Sequence, residues 1–348
     1  ACGAPNRPII GLSDANRIGY DALARWKSYP LADDNFPTLP TDIYDAIIAT
    51  SRSSLMNNIV YHNDPDVTYL LPRAEDHIWR GPEGSFEPEK HGLDWSGLQS
   101  FHSYVGLLGG MTKISEPLYE NKYQQQNSLR MFEILHPPAP DKGWAMNGDI
   151  DPWGRQFGFV TEKPWGKFAS LVLWNKDDTL KNIKLDSYSI RELGNRFHVW
   201  SFWDEKYLGI RDSSFIAENV PKHGYSLVRL TGIPANTDRP VIVGSNLHIS
   251  MGSAEINSFE AEDMIKIELT DAGAREGRIF IYSPNPIDIE GTIGCEAFVI
   301  PYDQRLYAVV ITDRSRNEIN TIHLSEVENI IPAEKILENA DLYQKYKR

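Results

Sequence analysis

The chain has 348 residues, 41% of them apolar and 24% charged, enough to support more than one folded unit with ample core burial. Its 48 Asp and Glu against 35 Lys and Arg give a formal charge of −13, which disfavours nucleic acid or an anionic membrane as partner and suits a neutral ligand. Cys2 and Cys295 are its two cysteines, too few for a disulfide framework or a zinc cluster; no apolar run approaches the roughly 18 residues of a membrane span, and no G-x-G-x-x-G or G-x-S-x-G string implies a nucleotide cofactor or a serine nucleophile.

Thr41-Asp42 predicts a cap for a helix with Ile43, Ala46 and Ile47 on one face, and Pro37 and Pro40 punctuate the loop before it. The short apolar run Ile59-Val60-Tyr61 predicts a strand that empties into the polar loop His62-Asn63-Asp64-Pro65-Asp66. A second helix opens at Asp94 or Ser96, carries Leu98, Phe101, Val105 and Leu108 on one side and stops at Gly109-Gly110. A strand follows over 111–115. Residues 1 to about 127 thus read as about three strand–helix units, in which polar loops after the strands carry the site.

From about residue 128 the period changes. Ser128 to Leu135 fits a helix and a strand equally well. Phe157–Val160, Phe168–Trp174, Phe197–Trp203 and Tyr225–Leu230 are rich in aromatic and branched side chains and read as strands of an antiparallel sandwich. Ile233 to Pro240 reads as a linker by its turn residues. Beyond it, Val241–Val243, Ile265–Leu269, Ile279–Tyr282, Ala297–Ile300 and Leu306–Ile311 build either a second sandwich or an enlargement of the first. Pro332 opens a terminal helix. The expected organisation is an α/β unit over 1–127, a β-sandwich over 128–232, a second β unit or extension over 233–331, and a helix over 332–348.

Chemistry concentrates at the N-terminus, in Cys2-Gly3-Ala4-Pro5, Gly11-Leu12-Ser13-Asp14 and Arg17-Ile18-Gly19-Tyr20-Asp21. An arginine four residues before an aspartate, with Trp26 just beyond, suits a carboxyl held beside a sugar. The guanidinium can grip the carboxylate region bidentately, and the indole offers an apolar platform for a pyranose ring. The same spacing also describes an ordinary surface ion pair. Asp14 reads equally as a site carboxylate and as a loop or helix cap. His62 with Asp64 and Asp66 suggests a ligand cluster, but Pro65 and strand alternation make it a poor chelate, and no metal is predicted. His102 and His198 read as core or rim histidines. Trp200 and Trp203, three apart, would face opposite sides of a strand, one in the core and the other open to a sugar.

Taken together, these strings resemble the acid/base segment of the melibiase-type α-galactosidases, glycoside hydrolase families 27 and 36. The likeness is closest to family 36 members carrying Cys-Gly-x-Pro, Gly-x-x-Asp and Arg-Ile-Gly-x-Asp. It continues through Asn63-Asp64-Pro65-Asp66 and Ile114-Ser115-Glu116-Pro117-Leu118 and weakens after about residue 250. The resemblance implies the C-terminal portion of a (β/α)8 barrel followed by one or more antiparallel β-sandwich domains. It implies Asp21 as general acid/base, with Arg17, Cys2 and Asp14 as sugar contacts, a terminal α-galactoside as substrate, and no metal or cofactor.

Retaining hydrolysis needs a second carboxyl roughly 5 to 5.5 Å from the first. In these families the nucleophile follows an earlier barrel strand in a Lys-x-Asp motif, which would precede Ala1. The chain is therefore expected to be a piece of a longer protein and to work with the remainder of the barrel upstream. Asp64 and Asp66 are the internal candidates, although their matched segment more often braces the site. Arg17 is expected to orient hydroxyls or the partner carboxylate, because a cation placed on the acid itself would oppose its protonation. The rival reading is a non-catalytic carbohydrate-binding or structural module.

Overall fold

The computed structural model describes residues 12–19, 21–26, 42–72, 92–147, 151, 153–177, 179–233, 238–262, 264–303, 305–316 and 318–327. Cys2 and the predicted terminal helix over 332–348 lie outside the described residues.

The first part alternates strand and helix: β1 (Ala15–Arg17), α1 (Ile43–Ser53), β2 (His62–Asp64), β3 (Val67–Thr68), α2 (Trp95–Leu108), β4 (Lys113–Ile114) and α3 (Gln126–Glu133). β1 runs parallel to β2, with Arg17 opposite Asp64, and β3 runs parallel to β4. The Met111 amide donates to the Asn63 carbonyl at 3.0 Å, so the second pair is tied to the first. Parallel neighbours need a crossover, and α1 and α2 supply the two crossovers. The described residues hold these two parallel pairs and no closed barrel.

Both helices start where an aspartate satisfies an orphan amide. Asp42 Oδ1 accepts from the Asp45 amide at 2.7 Å, and Asp94 Oδ1 from the Gly97 amide at 2.7 Å. Asp94, not Ser96, is thus the second cap. α2 buries Leu98, Phe101, Tyr104, Val105, Leu107 and Leu108 around its whole circumference, as a helix enclosed on all sides must. It ends at Gly109, whose φ of +65° suits glycine; a Cβ there would also meet the Asp141 carbonyl oxygen at 2.6 Å.

The rest is β structure: β5 (Trp144–Ala145), β6 (Gln156–Lys163), β7 (Gly166–Trp174), β8 (Lys181–Lys184), β9 (Arg196–Ser201), β10 (Lys206–Asp212), β11 (Ile216–Val220) and β12 (Tyr225–Gly232). It continues as β13 (Val241–Ser245), β14 (Ile256–Ala261), β15 (Ile265–Leu269), β16 (Gly277–Tyr282), β17 (Ile287–Ile293), β18 (Cys295–Asp303), β19 (Leu306–Arg314) and β20 (Asn320–Glu326). All pairings among these strands are antiparallel. The large sheet has the order β10-β9-β12-β7-β6-β5; two four-stranded sheets follow, β13-β16-β19-β18 and β14-β15-β20-β17.

Side-chain alternation sorts these sheets into layers. Along β7, Val172 and Trp174 face the core that holds α1 and α2, while Ala169, Leu171 and Leu173 face a second core with Leu185, Ile190 and Phe215. Along β19, Leu306, Ala308 and Val310 join Trp200 and Phe202 of the large sheet's core, while Tyr307, Val309 and Ile311 pack against Ile267 of β15 and Ile322 of β20. The sheet containing β19 is therefore apolar on both faces. The strands beyond residue 240 thus form two facing sheets, one of which also packs on the large sheet's core.

Two sequence expectations change and one ambiguity resolves. The run Ile59–Tyr61 is not a strand: Asn58 to Val60 form a turn, Ile59 is 75% exposed, and the strand is the polar His62–Asp64 itself. Asn57 causes this, since its side chain donates to the Leu108 carbonyl at 2.8 Å and accepts from the Asn63 amide at 2.9 Å. Residues 126–133 take the helical option, with Ser128, Met131, Ile134 and Leu135 buried at spacings of three and four. Trp203 lies in the turn after β9 instead of on the strand, and its Nε1 donates to Ser103 Oγ at 3.1 Å. It packs against the same core as the fully buried Trp200, so neither forms the open sugar platform.

Candidate active site

Strand pairing places the acidic string on one edge of the parallel layer. β1 ends at Arg17, and the Ile18 amide continues the ladder to the Asp64 carbonyl at 3.0 Å. The chain then crosses to Ala22, whose amide donates to Asp66 Oδ2 at 2.7 Å. Asp21 is thereby set just past the carboxyl end of β1, beside the carboxyl end of β2, where β/α folds place their chemistry.

Arg17 is the hub. One terminal nitrogen donates to Asp21 Oδ1 at 3.0 Å and also pairs with Asp66 Oδ2. The expectation that Arg17 would leave the acid alone and serve only other groups is corrected: it binds Asp21 directly while bridging to a second carboxylate. The two carboxylates differ in setting. The Asp21 side chain is 65% exposed, that of Asp66 only 10%. Asp66 adopts a φ of +79°, and its amide donates to Asp64 Oδ1 at 3.0 Å, the local side-chain bond that lets aspartate occupy this backbone region. Asp64 in turn pairs with Lys113 of β4. The result is a charged row along the strand ends, Asp21, Arg17, Asp66, Asp64 and Lys113, in which the two neighbouring carboxylates of Asp66 and Asp64 are joined through the Asp66 amide.

A second layer holds the Asp21 segment from behind. Tyr69 Oη donates to the Ala22 carbonyl at 2.8 Å, and the Tyr69 carbonyl lies 2.7 Å from His102 Nε2. A carbonyl only accepts, so Nε2 carries the proton. Burial holds the His102 imidazole down to about 4, against a smaller opposing effect of that hydrogen bond. His198, bonded to Tyr207 Oη at 2.8 Å, is held down to about 4 by burial and by Arg229 and Arg196. Both histidines are buried structural groups.

Asp14 lies at the other end of β1, exposed, and gives its backbone carbonyl to the His62 amide at 2.7 Å. The structure does not bring its carboxylate to Arg17 and Asp21. Trp26 is no sugar platform: it is 3% exposed, stacked on His223 at 4.5 Å between ring centroids, and edge-on to Tyr44 and Trp174. Its apolar face is spent in the core. His62 Nδ1 bonds Asn58 Oδ1, and among the described residues no three His, Cys, Asp or Glu side chains converge as metal ligands. Lys113 is a member of the row that sequence reasoning passed over. Its signal was present, a lysine one strand across from the Asn-Asp-Pro-Asp string at the head of a short strand.

No protein-family model matches this chain, and no curated protein matches it. Among solved structures, the chain is similar to a family 27 β-L-arabinopyranosidase from Geobacillus stearothermophilus, at 10% identity and a TM-score of 0.40 over 64% of this chain and 46% of that one. It is similar to an α-galactosidase from Saccharomyces cerevisiae solved with raffinose, at 11% identity and a TM-score of 0.40 over 63% and 60%. It is also similar to an isomalto-dextranase from Arthrobacter globiformis T6 complexed with panose, at 11% identity and a TM-score of 0.38 over 91% and 56%. The chain spans about half the length of these structures. All three are glycoside hydrolases by their names.

Proposed function

We propose that the chain contributes the acid/base carboxyl, Asp21, to a retaining glycoside hydrolase of the melibiase type that acts on terminal α-galactosides. The observation that supports this reading is the place of Asp21, just past the carboxyl end of β1 and beside that of β2. Asp21 protonates the departing glycosidic oxygen and then deprotonates the incoming water; because a cation on the acid opposes its protonation, Arg17 has to give up Asp21 and keep Asp66 while the proton is carried. Asp66 is the bracing carboxylate: its Oδ2 is occupied by the Ala22 amide and by Arg17, which leaves it poorly free to attack an anomeric carbon. We assign the nucleophile to polypeptide upstream of Ala1, in the remainder of the barrel, and keep Cys2 as a proposed sugar contact, whereas Asp14, at the other end of β1, is not one. In this reading residues 1–127 belong to the catalytic layer, and the β units over 128–232 and 233–331 buttress it.

The test is hydrolysis of aryl α-galactosides by the full-length protein and its Asp21→Ala form. Substrates with poor leaving groups need protonation and are expected to lose about 10²–10⁴-fold in turnover. Activated leaving groups lose much less at the glycosylation step. Azide, which needs no general base, restores turnover of the activated substrates. Equal activity of the two forms on every leaving group removes Asp21 from the mechanism.

The 65% exposure of the Asp21 side chain favours a second reading, a non-catalytic carbohydrate-binding or structural module. It predicts that wild-type full-length protein binds α-galactosides, or packs against its neighbours, and hydrolyses none.

A further inference from the structure

The residue after Asp21 is held more firmly than the Asp21 side chain. The Ala22 amide, in the peptide bond that joins it to Asp21, donates to Asp66 Oδ2 at 2.7 Å. The Ala22 carbonyl accepts from Tyr69 Oη at 2.8 Å. Both bonds are buried, with Ala22 1% and Tyr69 3% exposed. The bond from Arg17 to the Asp21 carboxylate is exposed instead, where water and salt weaken an ion pair. That pair also has to open while the proton is carried, since a cation opposes protonation of the acid. The Tyr69 bond to Ala22 involves neither Arg17 nor the carboxylate, so it persists when the pair opens.

Tyr69 is itself anchored from two elements. Its peptide bond with Leu70 is taken on both edges. The Tyr69 carbonyl accepts from His102 Nε2 of α2 at 2.7 Å, and the Leu70 amide donates to Glu116 Oε1, just past β4, at 3.0 Å. One residue earlier, the Thr68 carbonyl accepts from the Ser115 amide at 3.1 Å. Ala22, Tyr69 and Leu70 belong to the same core as Phe101 of α2. The phenol therefore hangs from backbone that α2 and the end of β4 hold still, and its hydroxyl fixes the carbonyl next to the acid.

We propose that Tyr69 is a positioning residue for the acid/base step: through the Ala22 carbonyl, its hydroxyl sets where the Asp21 carboxyl meets the departing oxygen. It acts through Asp21 and not on the substrate. The role rests on the assignment of Asp21 proposed above. A general acid has to stay within hydrogen-bond reach of the oxygen it protonates, and a displacement of about 1 Å can cost about 100-fold in rate.

The test compares full-length wild type, Tyr69→Phe, Asp21→Ala and the double variant. The substrates are phenyl α-galactoside, with a poor leaving group, and dinitrophenyl α-galactoside, with an activated one. Phe fills the space of Tyr, so Tyr69→Phe keeps the fold, which circular dichroism checks. Its kcat on the phenyl substrate is expected to fall about 10–100-fold with KM unchanged, while its glycosylation rate on the dinitrophenyl substrate stays close to wild type. In the Asp21→Ala background the same change costs nothing further on the phenyl substrate, because the group it positions is already gone. A hydroxyl that only supports the fold slows both substrates alike and in both backgrounds, and that result overturns the role. Full kcat of Tyr69→Phe on the phenyl substrate, beside an impaired Asp21→Ala, removes Tyr69 and leaves the acid/base assignment standing. Asp21→Ala as active as wild type on both substrates removes the assignment, and the role of Tyr69 with it.

Discussion

At the scale of single residues, what matters is which charges are spent and which are kept. Asp66 is buried against an amide and a guanidinium, while Asp21 stands in solvent on the other side of the same nitrogen. His102 sits one hydrogen bond further back, behind Tyr69. Its neutral state is built in, because burial holds it to about 4 while the unfolded chain titrates near 6.5. Above pH 6.5 neither state binds that proton and the fold keeps its full stability. Between 6.5 and about 4 the unfolded chain takes up a proton that the folded chain refuses, so stability drains as pH falls, by about 1.4 kcal/mol per pH unit for each such imidazole. Urea unfolding at pH 7 and pH 5 measures this. His102→Gln is expected to lower stability at pH 7, yet to shrink the drop between the two pH values by about 2 kcal/mol; an unchanged drop places the acid sensitivity elsewhere. Residue types and spacing made Arg17, Asp21, Asp64 and Asp66 visible in the sequence. Their division of labour was not visible, because it depends on which of them a backbone amide reaches across 44 residues of chain.

At the scale of elements, α2 shows how packing overrules propensity. Gly106 lies in its interior, where Ala would ordinarily gain about 1 kcal/mol. A Cβ there would lie 2.4 Å from Ile249 Cγ2 and 2.9 Å from Leu135 Cδ2. Gly106→Ala is therefore expected to destabilise the protein by about 1–3 kcal/mol, read as a lower denaturation midpoint at constant slope; a raised midpoint would mean the helix has slack. Capped helices were the most legible elements, since Asp42 and Asp94 announce themselves by one local bond. Strands with aromatic and branched runs were legible too, as β7 and β19 show. The polar strands were not: β2 reads His-Asn-Asp, β8 Lys-Asn-Ile-Lys and β11 Ile-Ala-Glu-Asn-Val. Each exists because a neighbour supplies its hydrogen bonds, and among the described residues β8 and β11 pair only with each other. A local pattern carries no record of such a partner.

At the scale of the whole molecule, one core spans the layers. Trp26, Phe101, Trp174, Trp200, Phe280 and Val310 belong to one cluster that runs from the α/β layer through the large sheet into β16 and β19. Arg229 is buried at the same junction. Its guanidinium donates to the Ile242 carbonyl at 2.9 Å and to that of Met251, and it stacks 3.8 Å from the Phe168 ring centroid. Burial pushes its pKa down to about 9. The layers are expected to unfold together, in one calorimetric transition whose measured and van't Hoff enthalpies agree. Two resolved transitions would mean that the layers beyond residue 240 hold themselves up. The linker at 233–240 suggested a cleaner division, because turn residues mark where a chain bends and say nothing about what it bends back onto. The sheet of β13, β16, β19 and β18 has apolar residues on both faces, so lifting it away from the strands on either side would open two greasy surfaces at once; it is not expected to fold as an excised piece.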